Sequence, residues 1–402
     1  MTINTDKEKI KKLLTRGVEQ IYPRAEFLQE LLQNGRRLRL YHGLDPTAPF
    51  LHIGHALQLR KLREFQELGH EVILLIGSFT GMIGDPTDKG SARAQLTRKQ
   101  VLENAATYKK QASKFLSFSG KNAARIMFNH KWLAKLTLED VVDLASHFTV
   151  QQMLERDMFD RRLQEGKPIY LHEFLYPLMQ GYDSVAMNVD LEIGGSDQTF
   201  NMLAGRTLMK AVKGKEKAVL TLKLITNDEG KKMSKSEGGF IALSDSAEDI
   251  YGKIMAMADS MILPYFELAT DVTLEEIEGM KIQLENGVNP RDLKTRLAAT
   301  VVAMCHSEEK AQKAAEHFEL VFRQHAVPTD VLVHSISGSL NIIDLLLETD
   351  LVSSKNEARR LIEQGAIKFG GEVVGSATMN VKGTKDGVIL QRGKRQFVRI
   401  IS

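Results

Sequence analysis

The chain has 402 residues, which is long for one domain, so two or three domains are expected. A hydrophobic fraction of 43% and a charged fraction of 26% are typical of a globular protein, and no apolar run is long enough to cross a bilayer. The first twelve residues are polar, unlike a signal peptide, so a cytoplasmic location is expected. The single cysteine, Cys305, excludes an intrachain disulfide and a multi-cysteine zinc site, and no protein-built metal site is expected.

Net charge by itself does not indicate a nucleic-acid partner, because 54 Lys and Arg face 51 Asp and Glu. The distribution of charge is more informative. Between residues 338 and 402 there are ten Lys and Arg against seven Asp and Glu, so this segment carries the whole excess of +3. A local basic surface of this kind is the electrostatic pattern expected of a nucleic-acid-binding module.

The first predicted elements form a strand–helix–strand unit. Alternating residues at 38–42 predict a strand, which runs into a turn at residues 45–47. Apolar residues recur along one face of residues 53–68, which predicts a helix ended by Gly69, and the apolar run at 72–76 predicts a buried strand. A βαβ unit of this kind builds a parallel sheet.

The rest of the chain extends this pattern and divides it into domains. Further strands are predicted at residues 125–128, 191–193 and 218–221, with a helical insertion at about 132–188 between them. The fold class is therefore α/β, a Rossmann-like doubly wound parallel sheet with a helical insertion, over residues 1–236. An α-helical domain is predicted at 237–325, with breaks at Pro264 and at Asn289-Pro290. A linker and a small α+β module at 338–402 follow, with a capped helix at 353–362 and a hairpin at 365–373.

A histidine motif, His52-Ile53-Gly54-His55, stands at the start of the predicted helix. Free backbone N–H groups and the helix dipole attract phosphate at such a position, and two imidazoles add hydrogen-bond donors. No Walker loop and no Gly-x-Gly-x-x-Gly turn accompanies it. Taken alone, the motif is equally consistent with a structural or accidental origin.

A second motif, Lys231-Lys232-Met233-Ser234-Lys235-Ser236, follows a predicted strand and a loop. A cationic loop can close over a triphosphate and supply charge as pyrophosphate leaves. Taken alone, such a run is more often a solvated basic loop. The histidine motif upstream and the doubly wound pattern between the two motifs favour the phosphate function.

With both motifs in this order, the chain resembles the class I aminoacyl-tRNA synthetases. Within that class it is similar to the bacterial tyrosyl-tRNA synthetases over essentially its whole length. The similarity rests on four further segments: YHGLDPTA at 41–48, GDPT at 84–87, YPLMQGYD at 176–183 and GGSDQ at 194–198. The resemblance implies activation of tyrosine with ATP and transfer to tRNA(Tyr).

The resemblance also implies where the amino acid binds. Asp85, Tyr176 and Gln180 match the positions that hold the ammonium, and Tyr41 with Asp183 match the pair that holds the phenolic hydroxyl. Asp45 and Gln198, from the same segments, complete the substrate-binding set. A buried pair at the hydroxyl would reject phenylalanine, because its polar groups would lose their partner. Plainer alternatives are a turn at Asp85 and a helix cap at Asp183.

The remaining implied residues serve ATP and its phosphates. Mg²⁺ is expected to bridge the phosphates. His42 stands where many relatives carry cysteine, so its contact cannot be transferred. The implied ATP-binding residues are Gly43, Gly54, Gly194, Asp197, Leu224, Ile225 and Ser234. The implied catalytic residues are Thr47, His52, His55, Lys232, Lys235, Lys89 and Arg93.

The C-terminal module resembles an RNA-binding domain named after a small-subunit ribosomal protein, and the helical domain is expected to bind the anticodon. The cations expected to contact phosphates are Lys355, Arg359, Arg360 and Lys368. The family is homodimeric, with an interface expected in the insertion at Met153, Met158, Phe159 and Leu171. Two alternatives stay open, a tryptophanyl-tRNA synthetase and a synthetase-derived RNA-binding protein without catalytic activity.

Overall fold

The computed structural model describes residues 2–87, 95–226, 240–323, 332–336, 338–385, 387–393 and 396–402. The chain forms two compact units. The first comprises Met1–Asp245 and Ala256–Leu297, and the second comprises Ser246–Met255 and Ala298–Ser402. Among the described residues, no helix is both long enough and apolar enough to span a membrane.

The first unit is built on a six-stranded sheet, in the order β1-β6-β5-β2-β3-β4. Five strands are parallel, and β1 pairs antiparallel with β6 at the edge, so the sheet is mixed rather than purely parallel as predicted. The sequence analysis did not predict β1. The strands are β1 (Val18–Tyr22), β2 (Arg39–Leu44), β3 (Glu71–Ile76), β4 (Arg125–Phe128), β5 (Leu191–Gly195) and β6 (Ala218–Leu222).

Helices cover the sheet and build both units. In chain order the first twelve are α1 (Lys7–Thr15), α2 (Ala25–Gln33), α3 (Ile53–Glu67), α4 (Thr80–Ile83), α5 (Arg98–Ala105), α6 (Tyr108–Ala112), α7 (His130–Leu133), α8 (Leu138–Ser146), α9 (Val150–Leu154), α10 (Asp157–Gln164), α11 (Leu171–Met187) and α12 (Thr199–Lys213). The others are α13 (Ala247–Met255), α14 (Ile262–Ala269), α15 (Leu274–Glu285), α16 (Pro290–Cys305), α17 (Glu308–Arg323), α18 (Ile342–Glu348) and α19 (Lys355–Glu363). Short 3-10 turns lie at Ser196–Gln198 and Asp259–Met261.

The βαβ unit predicted from periodicity is confirmed. Leu59, Leu62 and Phe65 of α3 are fully buried, because they lie on the face that packs on the sheet. Gly69 follows the end of this helix with a φ of +98°, a conformation that favours glycine. The other three predicted strands lie within β4, β5 and β6.

The predicted insertion is helical, and it contains α7 to α11. The expected interface residues do not all reach its surface. Met153, Met158 and Phe159 are buried within the chain, so the prediction is wrong for these three residues. Leu171 is 78% exposed, and it is joined on the surface by Leu138, which is 80% exposed. Periodicity identified apolar positions in this segment but could not tell a core face from an interface face.

The predicted helix breaks coincide with helix starts. Pro264 lies in the first turn of α14, and Pro290 is the first residue of α16. Proline is tolerated there because the first N–H groups of a helix have no acceptor within it. In the second unit α13 packs against α17, with the rings of Tyr251 and Phe318 centred 5.4 Å apart.

The C-terminal module has two small sheets and two helices around one apolar core. Its larger sheet has the order β10-β9-β12-β13-β7, and the smaller pairs β11 with β8. The predicted capped helix is α19, where the Ser354 hydroxyl accepts from the Glu357 N–H at 3.2 Å, and the predicted hairpin is β9–β10. The three-domain boundaries stay a prediction. The strands are β7 (Leu332–Ser335), β8 (Ser339–Asn341), β9 (Ile367–Phe369), β10 (Glu372–Val373), β11 (Asn380–Lys382), β12 (Val388–Arg392) and β13 (Gln396–Ile401).

Candidate active site

The candidate site lies at the carboxyl ends of β2 and β5, where the strand order of the sheet reverses. An open α/β sheet leaves a crevice at such a point. β2 leads into Asp45, and β5 leads into the turn Ser196–Gln198. Two helices that begin after these strands, α3 and α12, therefore start at the same edge.

The two motif histidines cap the N-terminus of α3. Nδ1 of His52 accepts from the Gly54 N–H, and Nδ1 of His55 accepts from the His52 N–H, each at 3.1 Å. Each neutral ring then carries its proton on Nε2 and can donate from that side. The ring centroids lie 3.8 Å apart. A Cβ at Gly54 would lie 2.9 Å from the His52 ring, so a side chain there would have to displace that ring.

The chain that follows the lysine motif is attached to the histidine segment. The Ile53 N–H donates to the Ile241 carbonyl at 2.9 Å, and His52 forms a β-bridge with Ala242. The Phe240 ring stands edge-on to the His52 ring, with centroids 5.3 Å apart. Residues 240–242, which follow the lysine motif along the chain, are therefore held beside the start of α3.

Asp45 joins three elements at the end of β2. One of its carboxylate oxygens accepts from the Thr80 hydroxyl at 2.7 Å, and the other accepts from the Tyr176 hydroxyl at 2.8 Å. Burial, followed by the charges of Asp45 and Asp85, raises the pKa of Tyr176 well above its usual value. A Cβ at Gly77 would overlap the Asp45 carboxylate at 1.8 Å, so only glycine allows this approach.

Asp85 is held by side chains from two other parts of the chain. Its carboxylate accepts from the Thr87 hydroxyl at 2.7 Å and from the Gln198 amide at 2.7 Å. Arg156 lies 3.8 Å from Asp85 and donates to the Thr87 hydroxyl at 2.9 Å. The Thr87 N–H also donates to the Asp85 carboxylate at 3.0 Å, so this carboxylate is already oriented by its neighbours.

Asp183 is buried on α11 and does not cap a helix. Its carboxylate accepts from the Trp132 indole N–H at 2.7 Å and from the Asn129 amide at 3.2 Å. Burial raises the pKa of Asp183 well above its usual value, while these two hydrogen bonds lower it. Tyr176, Gln180 and Asp183 are spaced by four and three residues, so they lie on one face of the helix.

Tyr41 is buried on β2, 1% exposed, and its hydroxyl lies 3.0 Å from the Ser184 hydroxyl. Burial raises the pKa of Tyr41, and the charges of Glu192 and Asp183 raise it further. The structure thus places Tyr41 close enough to Asp183 for an electrostatic effect, although the hydrogen bond of Tyr41 is to Ser184. Gln180 donates to Glu192 at 3.1 Å.

The two glycines at the end of β5, Gly194 and Gly195, are required by the packing around them. A Cβ at Gly195 would lie 2.4 Å from the Asp197 carboxylate and 2.8 Å from Leu224. A Cβ at Gly194 would lie 2.9 Å from the Met202 sulfur. Both glycines are buried, and local packing by itself already excludes side chains there.

The chain matches two family models that together span most of its length. The model described as tRNA synthetases class I (W and Y) matches residues 33–323, and the tyrosine–tRNA ligase SYY-like C-terminal domain matches residues 322–400. The tyrosine–tRNA ligase of Carboxydothermus hydrogenoformans is 44% identical over 97% of this chain and 97% of its own length. That of Moorella thermoacetica is 45% identical, over 97% of this chain and 95% of its own. The chain belongs to the tyrosine–tRNA ligase family.

The family assignment confirms the predicted family, the predicted enzyme class and the choice of tyrosine over tryptophan. A solved structure of the same kind supports the fold of the first part. A C-terminally truncated mitochondrial tyrosyl-tRNA synthetase from Coccidioides posadasii is 26% identical, with a TM-score of 0.63. The match covers 77% of this chain and 92% of that chain. As class I tRNA synthetases, members of this family use ATP as a substrate.

Several expected family positions fall outside the described residues, namely Lys89, Arg93, Lys232, Ser234 and Lys235. Two of the described family positions line the outer part of the site. Thr47 is exposed and its N–H donates to the Asp45 carbonyl at 2.8 Å, while Gly43 is exposed at the end of β2. Leu224 and Ile225 follow β6, and Ile225 is buried.

His42 is held by the sheet. Its Nδ1 lies 2.9 Å from the Ile193 carbonyl oxygen, which can only accept, so Nδ1 carries the proton. Burial lowers the pKa of His42, which favours the neutral ring. Sequence patterns offer no basis for this contact, because Ile193 on β5 is 151 positions away along the chain.

The expected RNA-binding cations lie on the C-terminal module. Lys355 pairs with Asp344 at 2.8 Å, and Arg359 donates to Asn356 at 3.1 Å. Arg360 is exposed near the end of α19, while Lys368 is half-buried on β9. Three of the four cations therefore stand on one exposed helix.

The sequence analysis missed several residues that support the site. Glu192 could have been noticed, since a carboxylate between Leu191 and Ile193 interrupts an otherwise apolar strand. Lys217, directly before the apolar run of β6, gives a similar signal. No local signal marks the others, because their partners are distant in sequence: Thr80, Asn129, Trp132, Arg156 and Ser184.

Proposed function

We propose that this chain activates tyrosine with ATP and transfers the tyrosyl group to the 3′ end of tRNA(Tyr). The observation that carries the choice of amino acid is the buried polar pair Tyr41 and Asp183, near the carboxylates Asp45 and Asp85. Free tyrosine has a phenolic hydroxyl at one end and an ammonium group at the other. A pocket with polar groups for both ends matches this ligand.

At the phenol end, the substrate hydroxyl binds between Tyr41 and Asp183. Trp132 and Asn129 both donate to the Asp183 carboxylate, so its position is determined before the ligand arrives. Phenylalanine lacks the hydroxyl and would leave both buried groups without their partner. Selection against phenylalanine then needs no separate editing step.

At the other end, the ammonium binds to Asp85, Tyr176 and Gln180. The Tyr176 hydroxyl already donates its hydrogen to Asp45, so its oxygen remains as an acceptor for the ammonium. Gln198 donates to Asp85 and holds this carboxylate in place. Asp45 and Gln198 therefore contribute by orienting the groups that contact the ligand.

The nucleotide binds along the edge formed by β2, β5 and the start of α3. Asp197 accepts from the ribose hydroxyls, and the absence of side chains at the glycines lets the nucleotide approach the backbone. Leu224 and Ile225 contact the adenine. The complete ATP-binding set is Gly43, Gly54, Gly194, Asp197, Leu224, Ile225 and Ser234.

In the first step the tyrosine carboxylate attacks the α-phosphorus of ATP, forming tyrosyl-adenylate and releasing pyrophosphate. In the second, the 3′-terminal hydroxyl of the tRNA attacks the adenylate carbonyl and AMP leaves. No protein nucleophile is required, so catalysis comes from positioning and from stabilising the charge on the leaving pyrophosphate. Mg²⁺, when bound to the nucleotide, supplies additional positive charge at the phosphates.

The donors at the phosphates come from both motifs. His52 and His55 carry their protons on Nε2, because each Nδ1 accepts a backbone hydrogen bond. Phe240 lies beside His52, and it follows Lys235 by five residues in the sequence. The full set is Thr47, His52, His55, Lys89, Arg93, Lys232 and Lys235.

The other parts of the chain bind tRNA and a second copy. We assign residues 1–236 to catalysis, residues 237–325 to the anticodon and residues 338–402 to RNA contact through Lys355, Arg359, Arg360 and Lys368. The homodimer interface includes Leu171 and Leu138, which are exposed on the insertion. A cytoplasmic location, as expected from the sequence, completes the proposal.

The test is ATP–pyrophosphate exchange with tyrosine, with tryptophan and without an amino acid, followed by charging of tRNA(Tyr). Exchange is expected with tyrosine only. Equal exchange with tryptophan would overturn the assignment of the phenol pocket. Tight tRNA binding without any exchange would instead favour the alternative of a non-catalytic RNA-binding protein.

A further inference from the structure

The segment between β2 and α3, residues 45–52, carries two of the groups proposed to act at the phosphates. It contains Thr47 and ends at His52, the residue that caps α3. The structure describes all of these residues and places none of them in a helix or strand, apart from the β-bridge at His52. The backbone groups of the segment therefore need partners from other parts of the chain.

Three carbonyl groups of this segment accept hydrogen bonds from side chains of α5, α6 and the turn between the two helices. The pairs are Asn104 with Pro46 at 2.9 Å, Thr107 with Pro49 at 2.8 Å and Tyr108 with Ala48 at 2.7 Å. Pro46 and Ala48 are the two neighbours of Thr47 along the chain, so the backbone is held on both sides of this residue. The Thr47 side chain itself is exposed.

Gln111 on α6 holds the other end of the segment, beside His52. It is buried, and its side-chain oxygen accepts from the Leu51 N–H at 2.7 Å. Its NH₂ group donates to the Pro49 carbonyl at 3.1 Å and to the Thr107 hydroxyl at 2.8 Å. An N–H can only donate and a carbonyl can only accept, so just one orientation of the amide makes these bonds.

Leu51, which directly precedes His52, also joins this segment to the chain after the lysine motif. Its carbonyl accepts from the Leu243 N–H at 2.8 Å. The Leu243 carbonyl in turn accepts from the ammonium of Lys114, two residues after α6, at 2.8 Å. Hydrogen bonds therefore connect the end of α6 both to the histidine segment and to the residues that follow the lysine motif.

The contacts fix backbone that lies outside regular secondary structure, and such backbone loses conformational entropy when it is ordered. If the segment were loose, that cost would fall on the transition state, in which Thr47 and His52 must face the phosphates. A segment that is ordered on folding lets its side chains act without further reorganisation. A brace that only stabilised the fold would leave the chemistry of correctly folded molecules unchanged.

We propose that Gln111 and Tyr108 are positioning residues for adenylate formation, through the backbone on which His52 and Thr47 stand. Gln111 acts on His52, and Tyr108 acts on Thr47. The inference rests on the proposed function, since it concerns the groups that act at the phosphates of ATP. Loss of either contact should slow the first step and leave the affinity for tyrosine unchanged.

The first variant is Gln111→Met, which keeps the length of the side chain and removes its hydrogen bonds to Leu51 and Pro49. We expect the single-turnover rate of tyrosyl-adenylate formation to fall about 10–100-fold, the size of two lost hydrogen bonds. The KM for tyrosine and the tyrosine-to-phenylalanine ratio should stay within about twofold. Lys110→Met, at an exposed position on the same helix, is the matched control and should match the unmodified chain.

A double-mutant cycle with His52→Asn separates positioning from a general loss of structure. Asparagine can still accept from the Gly54 N–H and cap α3, but it lacks the imidazole. If Gln111 acts through His52, the factor lost through Gln111→Met should be at least about threefold smaller in the His52→Asn chain. A smaller difference between the two backgrounds would overturn the positioning role of Gln111.

Tyr108→Phe gives an independent decision at the other end of the segment. It removes only the hydroxyl that donates to Ala48, and it should lower the adenylation rate about five- to tenfold. In a Thr47→Ala chain the factor should be at least about threefold smaller, and equal factors would show that Tyr108 does not act through Thr47. Should Gln111→Met not fold, this second cycle still decides for Tyr108.

The outcomes also distinguish this inference from the proposed function. Absence of tyrosine-dependent pyrophosphate exchange in the unmodified chain would overturn the proposed function itself. If the unmodified chain is active and each variant loses the same factor in both backgrounds, the positioning roles are wrong and the proposed function stands.

Discussion

The tyrosine pocket and the C-terminal helix α19 both depend on charged side chains, but they use them in opposite ways. In the pocket, Asp183, Glu192 and Lys217 are at most 2% exposed and each has a hydrogen-bond partner. On α19, Lys355 and Arg359 are exposed, and the Lys355 side chain remains 59% accessible beside Asp344.

The difference follows from what each surface must recognise. A buried charge is strong only when its partners are in place, so it distinguishes one small ligand from another by geometry. An exposed cation interacts weakly and is screened by salt, so several together attract a polyanion without reading its details. Perturbing the pocket should therefore change selectivity, whereas perturbing α19 should change affinity.

The largest expected effect comes from Asp183→Asn. Trp132 and Asn129 donate to different oxygens of Asp183, and asparagine has only one oxygen, so an NH₂ donor would replace one of the two acceptors and the phenol end would lose the carboxylate. We expect kcat/KM for tyrosine in pyrophosphate exchange to fall about 10²–10³-fold, while phenylalanine is much less affected. Asp143→Asn, at an exposed position on α8, is the control and should be silent. An unchanged tyrosine-to-phenylalanine ratio would remove Asp183 from the pocket.

A smaller effect, on stability rather than on activity, is expected from the buried imidazole of His70 in the first unit. Burial, reinforced by the charge of Arg37, lowers the pKa of His70 to about 4, and its Nδ1 accepts from the Leu38 N–H at 3.2 Å. The folded-state pKa lies below the unfolded value of about 6.5, so the stabilisation is complete above that pH and is lost as pH falls towards 4.

Between pH 7 and pH 5 this group should lower the free energy of unfolding by about 1–2 kcal/mol. Urea unfolding of the unmodified chain and of His70→Gln at both pH values measures the difference. The variant should show the smaller dependence on pH. His147→Gln, an exposed position, serves as the control. Equal pH dependence in all three chains would show that His70 does not titrate as its burial requires.

The smallest effect is expected on α19. Replacing Arg359 or Arg360 with Gln should weaken tRNA(Tyr) binding by less than about tenfold and reduce the slope of log affinity against log salt by about 1. Tyrosine-dependent exchange should not change. Glu363→Gln, on the same helix but of opposite charge, should not weaken binding. A change of slope with Glu363→Gln alone would show that contact runs through another face of the module.

Local patterns predicted much of the framework. The apolar stripe of α3 and the apolar run of β3 were sufficient because an element that buries one face must repeat its apolar residues with its own period. The edge strand β1 was missed because Val18–Tyr22 is short and its partner is β6, about 200 residues away. The prediction of the interface residues was wrong for a related reason. Periodicity indicates that a residue is buried, but it does not show whether the residue packs within its own chain or against a second copy.

The candidate site likewise contains residues that sequence patterns could identify and residues that they could not. Its motif residues were recognisable because each group is short and contiguous, and the family relationship supported them. The side chains that orient the motif residues could not be recognised from the sequence, because their positions depend on the order of the strands in the sheet. Trp132 and Asp183 are 51 positions apart, and Lys217 and Glu192 are 25 apart.

The sequence by itself determined the order of the elements, the two nucleotide motifs and the family, because these depend on residue types at short spacing. Only the tertiary structure decided that His52 and His55 also cap α3, that Asp183 faces Trp132, and that Tyr41 bonds to Ser184. The physical reason is that a hydrogen bond depends on which atoms the folded sheet brings within about 3 Å.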